Sequence, residues 1–177
     1  LIINLFIPSE LNWREKGLKL IQETRFPYSD LITYKLNLQH PIKIDIKLRL
    51  PGWANNGFNL EINGEKQSIS AKPGSYIEIG RKWHDGDIIT YQVPMSLSSE
   101  PALGSKSIKA FLYGPIVLAA DLGLGISDKP VPVLVSNDLK TENLISVLDK
   151  DSLRFNLEAE PENVTLIPYF LTGENTT

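Results

Sequence analysis

The stretch IKIDIKLRLPGW, residues 42–53, decides the fold of this chain. Its aliphatic residues occupy every second position up to residue 50 and alternate with lysine, aspartate and arginine. Successive side chains of a strand point to opposite faces, so the aliphatics share one face and the charges the other. Pro51 and Gly52 end the strand, because proline lacks an N–H and glycine tolerates a turn. An apolar sheet face must pack against another layer, so a second sheet is predicted.

Outward from this strand, alternating or apolar segments separated by turn residues predict further strands. They are residues 1–7, 18–26, 31–38, 58–62, 67–71, 75–80, 88–93, 108–113, 116–120, 133–135, 152–157 and 164–170. Asn63-Gly64 favours a two-residue type I′ hairpin, in which both residues have positive φ. Residues 10–17 are predicted to be a loop or a single turn, and residues 97–107 a loop. Residues 139–148 are compatible with a short helix or with a loop and a strand.

This series predicts an all-β fold, an antiparallel two-sheet β-sandwich of jelly-roll-like type. Residues 108–113 and 116–120 are more continuously apolar, which suits central strands covered on both faces. The composition changes at Gly123, after which glycine, proline and small polar residues dominate up to Pro132. We therefore predict a β-sandwich domain over residues 1–122. Residues 123–177 would form a smaller partial β region or an extension of the same sandwich.

The composition excludes several classes of function. The chain has 177 residues, 42% of them hydrophobic, and a net charge of -3 without a basic stripe, so nucleic acid is not expected as a partner. It has no cysteine, which removes disulfides, thiolate zinc sites and cysteine nucleophiles. No apolar run approaches the roughly 20 residues of a membrane span. The beginning at Leu1, without a methionine or a basic segment, predicts a mature product or an excised fragment.

No group of residues points to a reaction. His40 and His84 each lie beside a turn, which favours surface histidines, so neither a metal nor a cofactor is predicted. No Gly-x-Ser-x-Gly sequence or glycine-rich phosphate loop is present. The carboxylates that could form glycosidase pairs are Asp85 with Asp87, and Glu158, Glu160 and Glu162. Both sets are interpreted as solvated turn charges, because a raised pKa requires burial.

Aromatic side chains are the remaining candidates for binding. Trp13, Trp53 and Trp83, with Tyr28 and Tyr76, could stack on the flat C–H faces of sugar rings. The alternative is core filling, which is favoured for Trp83 because it follows an alternating strand. Trp13 lies in the most polar stretch of the chain and is predicted to be exposed.

Several segments together resemble a known family. In chain order they are NLFIPSEL (4–11), ETRFPYSD (23–30), LRLPGWA (48–54), ING (62–64), PGSYIEIGRKWHDGD (73–87), VPMSL (93–97) and FLYGPIVLAADLG (111–123). This series resembles the β-sandwich region that follows the catalytic barrel in glycoside hydrolase family 127, the β-L-arabinofuranosidase-like proteins. Residues 164–170 resemble a later strand of the same family.

The resemblance implies a parent enzyme with an (α/α) barrel upstream, where cysteines and a glutamate hold zinc beside a cysteine nucleophile. None of these residues can be assigned here, because the chain has no cysteine. The resemblance therefore implies a non-catalytic module that packs on the barrel and helps dimer formation. It leaves the compartment open and is compatible with a secreted or periplasmic parent.

Two other functions remain as alternatives. The first is a stand-alone carbohydrate-binding module for plant-type glycans. The candidate residues for contact with sugar or with the barrel are Trp13, Tyr28 and Trp53. The second and weaker alternative is an independent sandwich enzyme that uses aspartate or glutamate residues, which would require a deep cleft with a buried carboxyl pair.

Overall fold

The computed structural model describes residues 1–104, 108–123, 133–134 and 140–172. The chain divides into two compact units, Leu1–Met95 and Ser96–Thr177. The first unit consists mainly of β-strands. They are β1 (Ile2–Ile3), β2 (Ser9–Trp13), β3 (Leu18–Thr24), β4 (Leu31–Leu38), β5 (Ile42–Arg49), β6 (Asn59–Ile62), β7 (Glu65–Lys66), β8 (Tyr76–Trp83) and β9 (Ile88–Gln92).

These strands form the predicted two-sheet sandwich, which is confirmed. One sheet is three-stranded with the order β1-β5-β8, and the other is six-stranded with the order β2-β3-β4-β9-β6-β7. The pairs are antiparallel except β1 with β5. Residues of both sheets belong to one buried cluster, so the core lies between them.

Strand β5 has the alternation that its sequence predicts. Ile46 and Leu48 are fully buried, whereas Lys43 and Asp45 on the other face are exposed. The strand is the middle member of the three-stranded sheet and pairs with β8 along its whole length. Burying an aliphatic side chain of this size contributes about 1.5–3 kcal/mol, so this strand is a main source of stability.

The hairpin at Asn63-Gly64 is also confirmed. Asn63 has φ 54° and Gly64 has φ 80°, as a type I′ turn requires, and the turn joins β6 to β7. The return strand predicted over residues 67–71 is wrong, because β7 is confined to Glu65–Lys66. The chain then leaves the ladder, and Ile69 and Ala71 pack on the core instead.

The prediction of a loop or a single turn over residues 10–17 is wrong for residues 10–13, which form a strand. The first half of this segment, residues 10–13, belongs to β2, which pairs with β3 from Ser9 to Trp13. Only Arg14–Lys16 form a turn, a short 3₁₀ helix that Gly17 ends in the left-handed conformation. β2 is an edge strand of its sheet, and such strands carry polar residues that discourage pairing with other chains.

The described part of the second unit contains one six-stranded antiparallel sheet with the order β10-β11-β12-β15-β14-β13. The strands are β10 (Leu97–Pro101), β11 (Lys109–Tyr113), β12 (Ile116–Asp121), β13 (Ile145–Asp149), β14 (Arg154–Leu157) and β15 (Val164–Pro168). A one-turn helix, α1 (Thr141–Leu144), precedes β13, and a 3₁₀ helix (Tyr169–Leu171) follows β15. The helix and the strand that were predicted as alternatives for residues 139–148 are therefore both present in the described residues 140–148.

Two predictions in this unit are wrong. Residues 97–101 form β10 rather than a loop, and they pair with β11 in full. β12 is not covered on both faces, because Val117 is 44% exposed between the buried Ile116 and Leu118. Of the strand predicted over residues 133–135, Val133 forms an isolated bridge with Glu160, and residue 135 lies outside the described residues.

The observed division at Met95/Ser96 differs from the predicted boundary between residues 122 and 123. The physical reason is strand pairing. β12 lies before the predicted boundary and pairs with β15, which lies after it. A change in composition marks a connecting segment, and such a segment can still join two strands of one sheet. Residues 124–132 themselves lie outside the described residues.

Candidate functional site

Trp53 belongs to an aromatic cluster in the first unit. Its ring stacks on Phe26 at 6.2 Å between centroids and 18° between planes. Phe26 in turn lies edge-on to Phe6, and Phe6 and Phe58 lie edge-on to the buried Tyr91. One face of the Trp53 ring is therefore in contact with Phe26, and the residue as a whole is half-buried. The sequence did not predict this cluster, because its members are scattered over the chain.

The prediction that Trp13 is exposed is wrong. The side chain is half-buried and packs against the core, because β2 turns alternate residues, Leu11 and Trp13, inward. Its indole N–H donates to Glu15 at 3.4 Å, and the Lys16 ammonium lies 5.9 Å from its ring centroid. Contact of Trp13 with sugar or with a partner domain stays a prediction.

Tyr28 is 37% exposed in the turn between β3 and β4. Its backbone N–H donates to the Arg25 carbonyl at 2.8 Å, which closes the turn. Trp83 is fully buried, as predicted, and its indole N–H donates to the Ile44 carbonyl at 3.1 Å. The three tryptophans are thus distributed over different environments and form no common platform.

Asp87 is a buried structural carboxylate, so its interpretation as a solvated charge is wrong. It is 7% exposed, and its oxygens accept from the Asn63 amide at 2.8 Å and the His84 backbone N–H at 2.9 Å. Burial would raise its pKa, but these hydrogen bonds and the nearby Arg81 charge outweigh that effect. The pKa of Asp87 therefore lies below its ordinary value, which is the opposite of what a general acid needs.

The neighbouring turn residues have the same structural role. Asp85 accepts from the Leu38 backbone N–H at 2.8 Å, and Asn63 accepts from the Ile88 N–H at 2.8 Å. Two turns and the end of β4 are thereby tied together. The second carboxylate set, Glu158, Glu160 and Glu162, is exposed as predicted.

The histidines and carboxylates form no metal site in the described part of the chain. His40 and His84 are both exposed. Across residues 1–104, 108–123, 133–134 and 140–172, no three His, Asp or Glu side chains are grouped closely enough to hold a metal ion. Within the same ranges, no helix has the length and hydropathy that crossing a membrane requires.

An exposed aliphatic surface lies at the N-terminal crossing between the sheets. Only Ile2–Ile3 of the strand predicted over residues 1–7 pair with β5, and residues 4–8 then cross to β2 in the other sheet. Ile2, Leu5 and Ile7 are exposed by 59%, 63% and 55%. We call these three side chains the N-terminal rim. An apolar groove of about 350 Å³ runs beside them.

The backbone of this crossing is held in place. The Gln22 side chain is buried and donates to the Leu5 carbonyl at 2.8 Å. The Tyr76 hydroxyl donates to the Asn4 side chain at 2.6 Å, and Phe6 is buried in the aromatic cluster. The rim therefore presents its aliphatic side chains from a fixed backbone. The apolar run 1–7 is the sequence signal for it, although that run predicts a short strand over its whole length.

A second surface feature lies on the outer face of the six-stranded sheet. Asn12, Lys19 and Asn37 are direct neighbours on β2, β3 and β4 and so share one face. Arg14, Gln39 and Asp85 complete the lining of an open depression of about 610 Å³. We call it the polar depression. The sequence does not reveal it, because the residues of β2 resemble a loop and no single segment contains the register of the three strands.

The first unit matches a known protein family. Residues 1–95, the extent of the first unit, match the family model described as "Beta-L-arabinofuranosidase, GH127 middle domain". No curated protein matches the sequence.

Solved structures match almost the whole chain. One, described as a glycoside hydrolase, is 24% identical with a TM-score of 0.69, over 95% of this chain and 32% of its own. Another, a GH127 β-L-arabinofuranosidase from Geobacillus stearothermophilus T6, is 20% identical with a TM-score of 0.69, over 96% of this chain and 31% of its own. A GH127 β-arabinofuranosidase is 20% identical with a TM-score of 0.64, over 96% of this chain and 32% of its own. The chain thus has the fold of about a third of these proteins.

Proposed function

This chain belongs to the GH127 β-L-arabinofuranosidase family, of which it contains the middle domain, and we propose that it acts as a non-catalytic packing module of a larger glycoside hydrolase. The module would pack on the catalytic (α/α) barrel of its parent protein. Its short share of the matched structures, 31–32% of their length, supports a role as one part of a larger chain. The reaction and its substrate would then belong to the parent.

The observation that carries this proposal is the N-terminal rim. Single exposed aliphatics are common on protein surfaces, but here three lie within a six-residue stretch beside an apolar groove. Hydrogen bonds from both sheets hold this segment in place, one to the Leu5 carbonyl and one to the Asn4 side chain, so docking a partner would order few new groups. A preformed apolar patch of this kind is typical of an interface between domains.

The proposal is tested by binding in trans. The catalytic domain of the parent is produced separately and titrated with the purified 177-residue chain in a calorimeter. We expect saturable binding that Leu5→Asp weakens at least tenfold, since an unpaired charge in an apolar interface is costly. Leu31→Asp is the matched control, because Leu31 is another exposed leucine of the same unit, 44% exposed against 63% for Leu5, and lies outside the rim.

Two results would contradict this proposal. The first is binding that Leu5→Asp and Leu31→Asp weaken to the same extent, which would place the contact elsewhere. The second is concentration-dependent dimerisation of the chain through the rim, without affinity for the catalytic domain. In that case a second copy of the chain would be the partner, and sedimentation velocity would reveal it.

Sugar contact by Trp13, Tyr28 and Trp53 stays a prediction. The stacking of Trp53 on Phe26 and the packing of Trp13 against the core leave less aromatic surface than a flat sugar platform would use. The packing function is therefore supported better than carbohydrate binding at these three residues.

A further inference from the structure

The polar depression carries side chains that can form hydrogen bonds but make none with the part of the chain that the structure describes. In the described residues, the amides of Asn12, Asn37 and Gln39 make no side-chain hydrogen bond, and the Arg14 guanidinium has no ion-pair partner. Each amide offers one acceptor oxygen and two N–H donors, and the guanidinium offers five donors. Donors and acceptors are thus concentrated on one stretch of the outer face.

The strand ladder fixes the spacing of these groups. Asn12 is opposite Lys19, and Lys19 is opposite Asn37. Neighbouring strands lie about 4.8 Å apart, so this row of three side chains spans about 10 Å. The flanking residues Leu18 and Leu38 are buried, which anchors the row on the core.

The backbone also shapes one edge of the polar depression. Gly17 has φ +58°, and a Cβ at this position would lie 3.1 Å from the Gln39 side-chain oxygen. The Gln39 backbone N–H donates to the Gly17 carbonyl at 3.0 Å. The absence of a side chain at residue 17 therefore lets the Gln39 amide lie across this turn, at the edge of the depression.

The charges balance when Glu10, which lies beside the lining, is included. The Lys19 ammonium is paired with Glu10 at 3.0 Å, and Arg14 has Asp85 as the acidic residue of the same lining. An anion such as phosphate would require an excess of cationic donors. Hydroxyl groups both donate and accept, so they match amides that offer both functions.

From this juxtaposition we propose that the polar depression is a binding site for a neutral polyhydroxylated ligand, namely a carbohydrate. The volume of about 610 Å³ lies in the ordinary range of small-molecule sites. The site differs from the aromatic residues considered from the sequence. It also shares no lining residue with the apolar groove of the N-terminal rim, so it is independent of the packing function.

Nuclear magnetic resonance of the ¹⁵N-labelled 177-residue chain tests this proposal. The probes are arabinotriose, xylotriose and maltotriose at millimolar concentration, with glycerol and inorganic phosphate in parallel. We expect at least one trisaccharide to shift the side-chain amide signals of Asn12, Asn37 and Gln39 in a saturable way. Asn37→Ala and Asn12→Ala should each weaken this binding about tenfold, because each removes paired hydrogen bonds.

Asn56→Ala is the matched control, because Asn56 is an exposed turn asparagine outside the depression. It should change the affinity less than twofold, and the thermal midpoint of all three variants should equal that of the wild type. Four results would overturn the proposal. They are no shift with any trisaccharide, equal shifts with glycerol, binding of phosphate in place of sugar, and sugar binding that neither Asn37→Ala nor Asn12→Ala weakens.

Discussion

The core of the first unit and its N-terminal rim contain the same kinds of side chain in opposite surroundings. Leu48 in β5 is fully buried between the two sheets, whereas Leu5 in the crossing is 63% exposed. Both lie on backbone that hydrogen bonds hold in place. The difference shows that aliphatic content alone does not identify what stabilises the fold. Leu48 contributes to folding, whereas Leu5 stays in contact with solvent.

A matched pair of substitutions tests whether the core and the N-terminal rim differ in their contribution to stability. Leu48→Ala should lower the free energy of unfolding by about 2–5 kcal/mol, because it leaves a cavity in a closed core. Leu5→Ala should change it by no more than about 0.5 kcal/mol, since the side chain is already in water. Urea unfolding followed by circular dichroism measures both. Equal effects would show that the rim is part of the core.

The same test can be applied to polar side chains, with the buried Asp87 compared with an exposed glutamate. Asp87→Asn should lower the free energy of unfolding by about 1.5–3 kcal/mol, because it removes charge-assisted hydrogen bonds from Asn63 and His84. The exposed Glu158→Gln serves as the control and should be close to neutral. If both variants unfold at the wild-type urea midpoint, the buried network does not contribute to stability.

The same residue should make stability depend on acid. The pKa of Asp87 in the folded protein lies below that of an unfolded aspartate, about 3.9. Its contribution is therefore complete above that value and is lost as the pH falls through the folded pKa. Between about pH 5 and pH 2, the wild type should lose stability more steeply than Asp87→Asn. Parallel pH profiles of the two proteins would contradict the assignment.

The smallest expected effect concerns Tyr34 in the core. Its side chain is fully buried and its hydroxyl has no hydrogen-bond partner among the described residues, whereas the Tyr91 hydroxyl donates to the Arg49 carbonyl at 3.0 Å. Tyr34→Phe should leave stability unchanged or raise it by up to about 1 kcal/mol, because burying an unpaired hydroxyl is unfavourable. Tyr91→Phe is the control and should be destabilising. Thermal unfolding distinguishes the two, and a clear loss for Tyr34→Phe would contradict the assigned environment.

Sequence reasoning succeeded where a local rule determines the structure. The alternation of β5 and the positive φ of Asn63 and Gly64 follow from side-chain period and turn chemistry. It failed at β2 and β10, which are both edge strands of their sheets. Their polar sequences resemble loops, because an exposed edge favours polar residues and permits Pro101.

The candidate sites were harder to predict than the strands. The polar depression requires the register of three strands, and no single segment contains that information. The aromatic cluster around Phe26 joins residues that are far apart in the chain. The N-terminal rim was visible as an apolar run, but only the pairing of the sheets decides whether such a run is buried or exposed.

We propose that this chain is a packing module and that the rest of its parent enzyme carries out the hydrolysis. The decisive experiment measures hydrolysis of a synthetic β-L-arabinofuranoside by the purified 177-residue chain, with and without added zinc. No turnover above the buffer blank is expected under either condition. Turnover that rises in proportion to the concentration of the chain would contradict it.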